Sequence, residues 1–110
     1  MTDPFTALAD PTRRRLLDRM AATGGLTLRE LASDLPMTRQ AVAKHIAVLE
    51  AAELVAVRRE GRCKRHWLNP VPLAKMARRW LARFEDVPMH AVAGFAHRRA
   101  GKKASRNGTL

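Results

Sequence analysis

The stretch "TRQAVAKHIAVLE" (residues 38–50) constrains the fold more than any other part of the chain. Val42, Ile46 and Leu49 fall at i, i+4 and i+7, which is one face of a helix. The other face carries Arg39, Gln40, Ala43 and Lys44, with no carboxylate before Glu50. Thr38 stands where an N-cap belongs. Just upstream, "LRELASDL" (28–35) turns Leu28, Leu31, Ala32 and Leu35 to one side. Thr27 and Glu30 have the spacing of a capping box, and Pro36 is expected to end that helix. Two capped helices across a short turn fit a helix-turn-helix, whose second helix offers its N-terminal residues to the major groove. They fit an ordinary helical hairpin in a core equally well.

The next segment separates the two readings. In "LVAVRREGRCKRHWL" the helical period is lost, and two short runs flank Gly61. This is the pattern of a β-hairpin. Its tip holds Arg58, Arg59, Arg62, Lys64 and Arg65 against Glu60 alone. Charge at a hairpin tip can serve solubility, but this excess of cations favours phosphate or minor-groove contact. A basic hairpin directly after a helix-turn-helix is a wing.

Helices are also expected on both sides. "PFTALA" (4–9) offers a short one with Phe5 and Leu8 on one side. "DPTRRRLLDRMAA" (10–22) has Asp10 as N-cap, Pro11 in the first turn, and Leu16, Leu17 and Met20 inward, with "TGG" as its glycine stop. "NPVPLAKMARRWLARFED" (69–86) keeps Leu73, Met76, Ala77, Trp80, Leu81 and Phe84 at helical spacing over three turns. Such a stripe is either core or, in part, a dimer seam shared with Phe5 and Leu8. After Asp86 the composition shifts. Residues 87–97 are a candidate short helix interrupted by Gly94, and 98–110 read as a flexible tail with Arg98, Arg99, Lys102, Lys103 and Arg106 and no acid.

The length of 110 residues suits one domain, and 46% apolar content suits a folded one. Lys and Arg number 21 against 10 acids, a net +11. Such a balance points to nucleic acid first and an anionic membrane second. No apolar run approaches the roughly 20 residues of a membrane span. The single cysteine forbids an internal disulfide framework. With no signal peptide visible in "MTDPFTALAD", a cytoplasmic protein is expected.

The ordered set "ALADPTRRRLLDRM", "LTLRELASDLPMTRQAVAKHIAVLEAAELV", "RREGRCKRH" and "LNPVPLAKMARRWLARFE" resembles the ArsR-type winged-helix transcriptional regulators over residues 4–86. The resemblance implies a mainly α fold with a small β-hairpin and a homodimeric repressor reading an inverted repeat. It also places the first and last helices at the dimer interface, with Phe5, Leu8, Leu73, Met76, Trp80 and Phe84 as candidates. Residues 1–86 form the DNA-binding and dimerisation domain in this reading, and 87–110 a basic extension. The family's metal sensors carry a cysteine pair where this chain has "LRELASDLP", so no metal and no other cofactor is expected. Thr38, Arg39 and Ala43 also depart from the family's frequent serine and glutamine, so base preference does not transfer.

Candidate groove contacts are Arg39, Gln40 and Lys44, since arginine pairs bidentately with guanine and glutamine with adenine. Thr38 caps the helix and is placed to touch a phosphate, and Ala43 lies on the same face. His45 borders the apolar face: it is either a satisfied half-buried histidine or, as the resemblance suggests, a DNA contact. Arg59 and Arg62 are the wing candidates. Cys63, between Arg62 and Lys64, is a conceivable redox thiol without a partner cysteine. His90 and His97 lack a third ligand and make a poor metal pair. No paired carboxylates, Ser–His–Asp set or glycine-rich phosphate loop exists to support an enzyme. A sequence-specific repressor on double-stranded DNA leads. Alternatives are a non-specific architectural DNA-binding protein and a winged helix used for protein interaction.

Overall fold

In the computed structural model, which describes residues 2–88 and 90, helices begin where proline and threonine place them. Pro4–Leu8 (α1) and Pro11–Ala22 (α2) each carry proline in the first turn, where a missing N–H costs nothing. Asp10 holds the expected N-cap position of α2, but its carboxylate makes no capping hydrogen bond. Leu28–Ala32 (α3) opens on a complete capping box. Glu30 N–H donates to Thr27 Oγ1 at 3.2 Å, and Thr27 N–H donates to Glu30 Oε1 at 2.9 Å. The Thr27 N–H holds the Glu30 carboxyl below its usual value.

This helix is shorter than its spacing predicts, ending at Ala32 rather than at Pro36. Ser33 Oγ donates to Glu30 O at 2.9 Å and to Asp34 Oδ1 at 2.8 Å, and Arg19 reaches the same Asp34 oxygen at 3.0 Å. Side-chain bonds thus satisfy the terminus before the proline is reached. The link to the next helix, residues 33–38, is correspondingly longer than a tight turn.

Arg39–Ala51 (α4) follows, capped by Thr38 Oγ1, which accepts from Ala41 N–H at 3.1 Å. It buries Val42, Ile46 and Leu49, the three residues of the predicted face. Its far end closes without glycine. Glu53 sits at φ 62°, its N–H donates to Glu50 O at 2.8 Å, and Leu54 N–H donates to Leu49 O at 2.9 Å. This pair of bonds is the Schellman ending, with glutamate in the left-handed position that glycine usually takes.

The hairpin comprises Val55–Glu60 (β1) and Cys63–Leu68 (β2), antiparallel from Val55↔Leu68 to Glu60↔Cys63. Gly61 (φ +64°) opens the two-residue turn. A third partner joins it: Leu26 bridges His66, with Gly25 N–H to His66 O and His66 N–H to Leu26 O both at 2.9 Å. The glycines at 24 and 25 therefore have a different purpose from the expected helix stop. Thr23 ends α2 in extended conformation, whereas a Cβ on Gly24 would collide with the Trp67 indole, and one on Gly25 would lie 3.3 Å from it.

Leu16, Leu31, Val42, Leu49 and Leu54 are fully buried and join α2, α3, α4 and the residue just before β1 into one core. Val71–Ala82 (α5) starts with Val71 N–H on Asn69 Oδ1 at 3.2 Å and stops short of the predicted Asp86, residues 83–86 continuing as turns. None of its residues is buried. The chain divides into two compact units, residues 1–78 and 79–110. Leu73 packs on the core of the first. In the second, Trp80 and Phe84 meet edge to face with ring centroids 4.8 Å apart. The expected helix over 87–97, His97 and the tail from Arg98 fall on residues that lie mostly or wholly outside those described. No helix among the described residues is long and apolar enough to cross a membrane. The mainly helical fold with its two-stranded wing is that of a winged helix-turn-helix.

Candidate nucleic-acid interface

The polar face of α4 is free because its apolar face is committed. Thr38, Arg39, Gln40 and Lys44 are exposed at its N-terminal half, and Ala43 is half-buried. Among the described residues, no carboxylate lies within ion-pair distance of Arg39 or Lys44. Uncompensated cations at a capped helix start suit a polyanion, since the helix N-terminus adds partial positive charge.

The wing continues this surface. Its register sets Arg58 opposite Arg65 and Arg59 opposite Lys64. Like charges directly across a ladder destabilise a hairpin unless an anion offsets them. Arg65 is already engaged. Its Nε donates to Glu60 Oε1 at 2.6 Å and its Nη1 to Gly25 O at 2.8 Å, so it braces the wing on the α2–α3 loop. The Glu60 carboxylate raises its already high pKa further. Arg58, Arg59, Arg62 and Lys64 remain exposed. His66 anchors the strand from beneath: it is buried, and Nδ1 lies 2.8 Å from Leu26 O, so that nitrogen carries the proton.

Arg29, Arg39, Arg62 and Lys64 converge on one cleft between α3, α4 and β2, with Glu50 the only carboxylate in its lining. Arg29, in the first turn of α3, is not among the residues selected from the sequence. Its signal was an exposed cation one residue past the inward Leu28, which is unremarkable without the fold. A second notch beside the cleft is lined by Leu28, Arg39, Gln40 and Ala43. Cys63 lines the cleft and is exposed.

His45 lies apart from these residues. Its Nδ1 is 3.2 Å from Arg13 Nη1 and 3.6 Å from Asp10 Oδ2. Arg13 in turn donates from Nε to Ala7 O at 2.7 Å. The imidazole therefore ties α4 to α1 and α2, and Asp10 faces it instead of capping α2. Phe5, Trp80, Leu81 and Phe84 are each about half exposed or more, whereas Leu8, Leu73 and Met76 are half-buried. Among the described residues, no group of three or more His, Cys, Asp or Glu is placed to hold a metal ion.

A family description of a helix-turn-helix domain matches residues 8–58, which span α2, α3, α4 and the start of the wing. The chain is 42% identical over 83 residues to the uncharacterized HTH-type transcriptional regulator YuzN of Bacillus subtilis, covering 70% of this chain and 90% of that protein. It is 30% identical over 73 residues to the transcriptional repressor SdpR of the same organism, covering 66% of this chain and 80% of that one. The crystal structure of an ArsR family transcriptional regulator superposes with a TM-score of 0.67 at 32% identity, covering 76% of this chain and 84% of that one. With its capped helix pair, its basic wing and these likenesses, the chain belongs to the ArsR family of winged helix-turn-helix transcriptional regulators, which are DNA-binding proteins rather than enzymes.

Proposed function

We propose that the protein is a sequence-specific repressor that binds an inverted-repeat operator as a homodimer in the cytoplasm. The observation that carries this reading is the unengaged polar face of α4, with Arg39 and Gln40 exposed beside the free cations of the wing. Arg39 and Gln40 read base edges, Lys44 adds a phosphate or base contact, and Thr38 fixes the helix start. Arg59 and Arg62 hold the flanking backbone. Ala43 allows α4 to approach the groove closely. His45 acts on DNA through the helix position it fixes. Phe5, Leu8, Leu73, Met76, Trp80 and Phe84 supply the seam between copies, because α5 is amphipathic and, although Leu73 packs on the core, none of its residues is fully buried among the described residues. A two-fold dimer sets its recognition helices about 34–36 Å apart, one turn of DNA. Residues 1–86 carry recognition and assembly, and 87–110 add non-specific phosphate attraction. The likeness to a repressor supports repression over activation.

Selection of bound duplexes from a random pool tests this. A palindromic motif that outcompetes random DNA by about 10³ or more is expected. Uniform binding of all sequences would instead identify an architectural protein.

A further inference from the structure

We propose that Ala43 and Leu28 together read the 5-methyl group of a thymine in each half-site, next to the bases contacted by Arg39 and Gln40. This inference rests on the operator-binding role of α4 proposed above. Ala43 follows Arg39 by four residues and Gln40 by three, so the three share one helix face. With Leu28 of α3 they line the notch at the start of α4. Two of its walls are long polar side chains that can pair with base edges. The other two end in carbon only. Both carbon groups are half-buried, so they are held in place by the fold rather than free in solvent.

A major groove offers N and O atoms at nearly every position, and the thymine C5-methyl is its one apolar group. Ala43 and Leu28 have no donor or acceptor. Against a purine edge or a cytosine amine they would leave a desolvated polar group unpaired, which is penalised. Against thymine they bury methyl on methyl. The surrounding charge restricts the occupant further. Arg29 and Arg39 line the adjoining cleft with Arg62 and Lys64, so the notch opens beside cations that favour a group carried on a polyanion. A methyl group carried on a phosphate polymer satisfies both conditions. The notch therefore selects T within a short window that Arg39 and Gln40 otherwise read by hydrogen bonding.

The test uses the full chain and the motif obtained from the random pool. Each thymine of one half-site is replaced singly, on either strand, by deoxyuridine, which removes the 5-methyl and leaves every hydrogen-bonding group. One such position is expected to weaken binding about fourfold per half-site, the scale set by burying a single methyl group. In Ala43→Gly the thymine-to-deoxyuridine ratio at that position should fall clearly below fourfold, Leu28 keeping the remaining part of the contact, while ratios at other positions stay unchanged. Because each ratio is taken within one protein, partial unfolding of a variant cancels. If no deoxyuridine substitution matters while the motif is still bound specifically, the methyl reader is overturned and operator recognition stands. A sensitive position whose ratio is undiminished in Ala43→Gly also overturns it, placing the methyl contact elsewhere. A pool without any motif removes the operator reading, and this one with it.

Discussion

Helices α4 and α5 are nearly equal in length, 13 and 12 residues, and both are amphipathic in sequence, yet the fold treats them in opposite ways. The apolar face of α4 is completely covered: Val42 and Leu49 have no exposed surface, and Ile46 has almost none. The face of α5 is covered only in part: Leu73 packs on the core, whereas among the described residues Trp80 stays 48% and Leu81 60% exposed. An apolar stripe therefore states that a helix will be covered, without stating by what. In α4 the cover is the chain's own core, so the polar side becomes the working surface. In α5 the apolar side itself is the surface on offer, which is why the proposed copy-to-copy seam is placed there.

The largest effects should come from attacking the two faces separately. Leu49→Ala opens a cavity in the core and is expected to cost about 2–5 kcal/mol, seen as a lowered thermal midpoint at any protein concentration. Trp80→Glu removes no core residue. It should shift the mass measured by light scattering at micromolar concentration from dimer to monomer, with a midpoint that no longer rises with concentration. A unit-mass particle for the unmutated chain would break the comparison, because the α5 face would then be open for another reason.

A smaller effect is expected on the polar side of α4. Arg39→Ala should lose about 1–3 kcal/mol of discrimination at one position of each half-site, the worth of a bidentate base contact. Its thermal midpoint should hardly change, since Arg39 makes no ion pair among the described residues. Binding measured on the selected motif and on every single-base variant checks this. A uniform loss on all sequences would make Arg39 a phosphate contact.

What the sequence made legible was the local part of this design. The inward face of α4, the Thr27–Glu30 capping box, the Thr38 cap and the hairpin about Gly61 all depend on residues a few positions apart, and all are present. What it concealed depends on distant partners. Asp10 looks like a cap, but Arg13 and His45 compete for its carboxylate, and His45 is 35 positions away in the chain. Gly24 looks like a helix stop, but the reason for glycine is the indole of Trp67. Pro36 looks like the end of α3, but Ser33 and Asp34, the latter held by Arg19, end it sooner. The bridge from Leu26 to His66 has no sequence signature at all. The positions of Arg39, Gln40, Ala43 and Lys44 on one face could be read from periodicity. That Arg29 joins them across a cleft could not, because it follows from how α3 packs against α4.

The smallest expected effect sharpens the claim that α4 is locked into the core at both ends. Its C-terminus uses Glu53 in the left-handed region, where a Cβ is crowded by the neighbouring carbonyl. The Schellman bonds that follow need only the backbone, Glu53 N–H to Glu50 O and Leu54 N–H to Leu49 O. The further bond at this site, Asn69 Nδ2 donating to Glu53 O at 3.0 Å, is also to backbone. No hydrogen bond or ion pair among the described residues involves the Glu53 carboxylate, and the side chain is exposed. Glu53→Gly should therefore relieve strain and keep every one of these bonds. Glycine gives back part of the gain through its freer unfolded chain, so the net expectation is a stabilisation of roughly 1 kcal/mol or less. The midpoint should rise slightly, while operator preference and assembly stay as they were, because the residue lies at the opposite end of α4 from Arg39 and Gln40. A fall in the midpoint would show that the Glu53 side chain holds the helix end, and that α4 is secured by more than its cap, its buried face and its backbone turn.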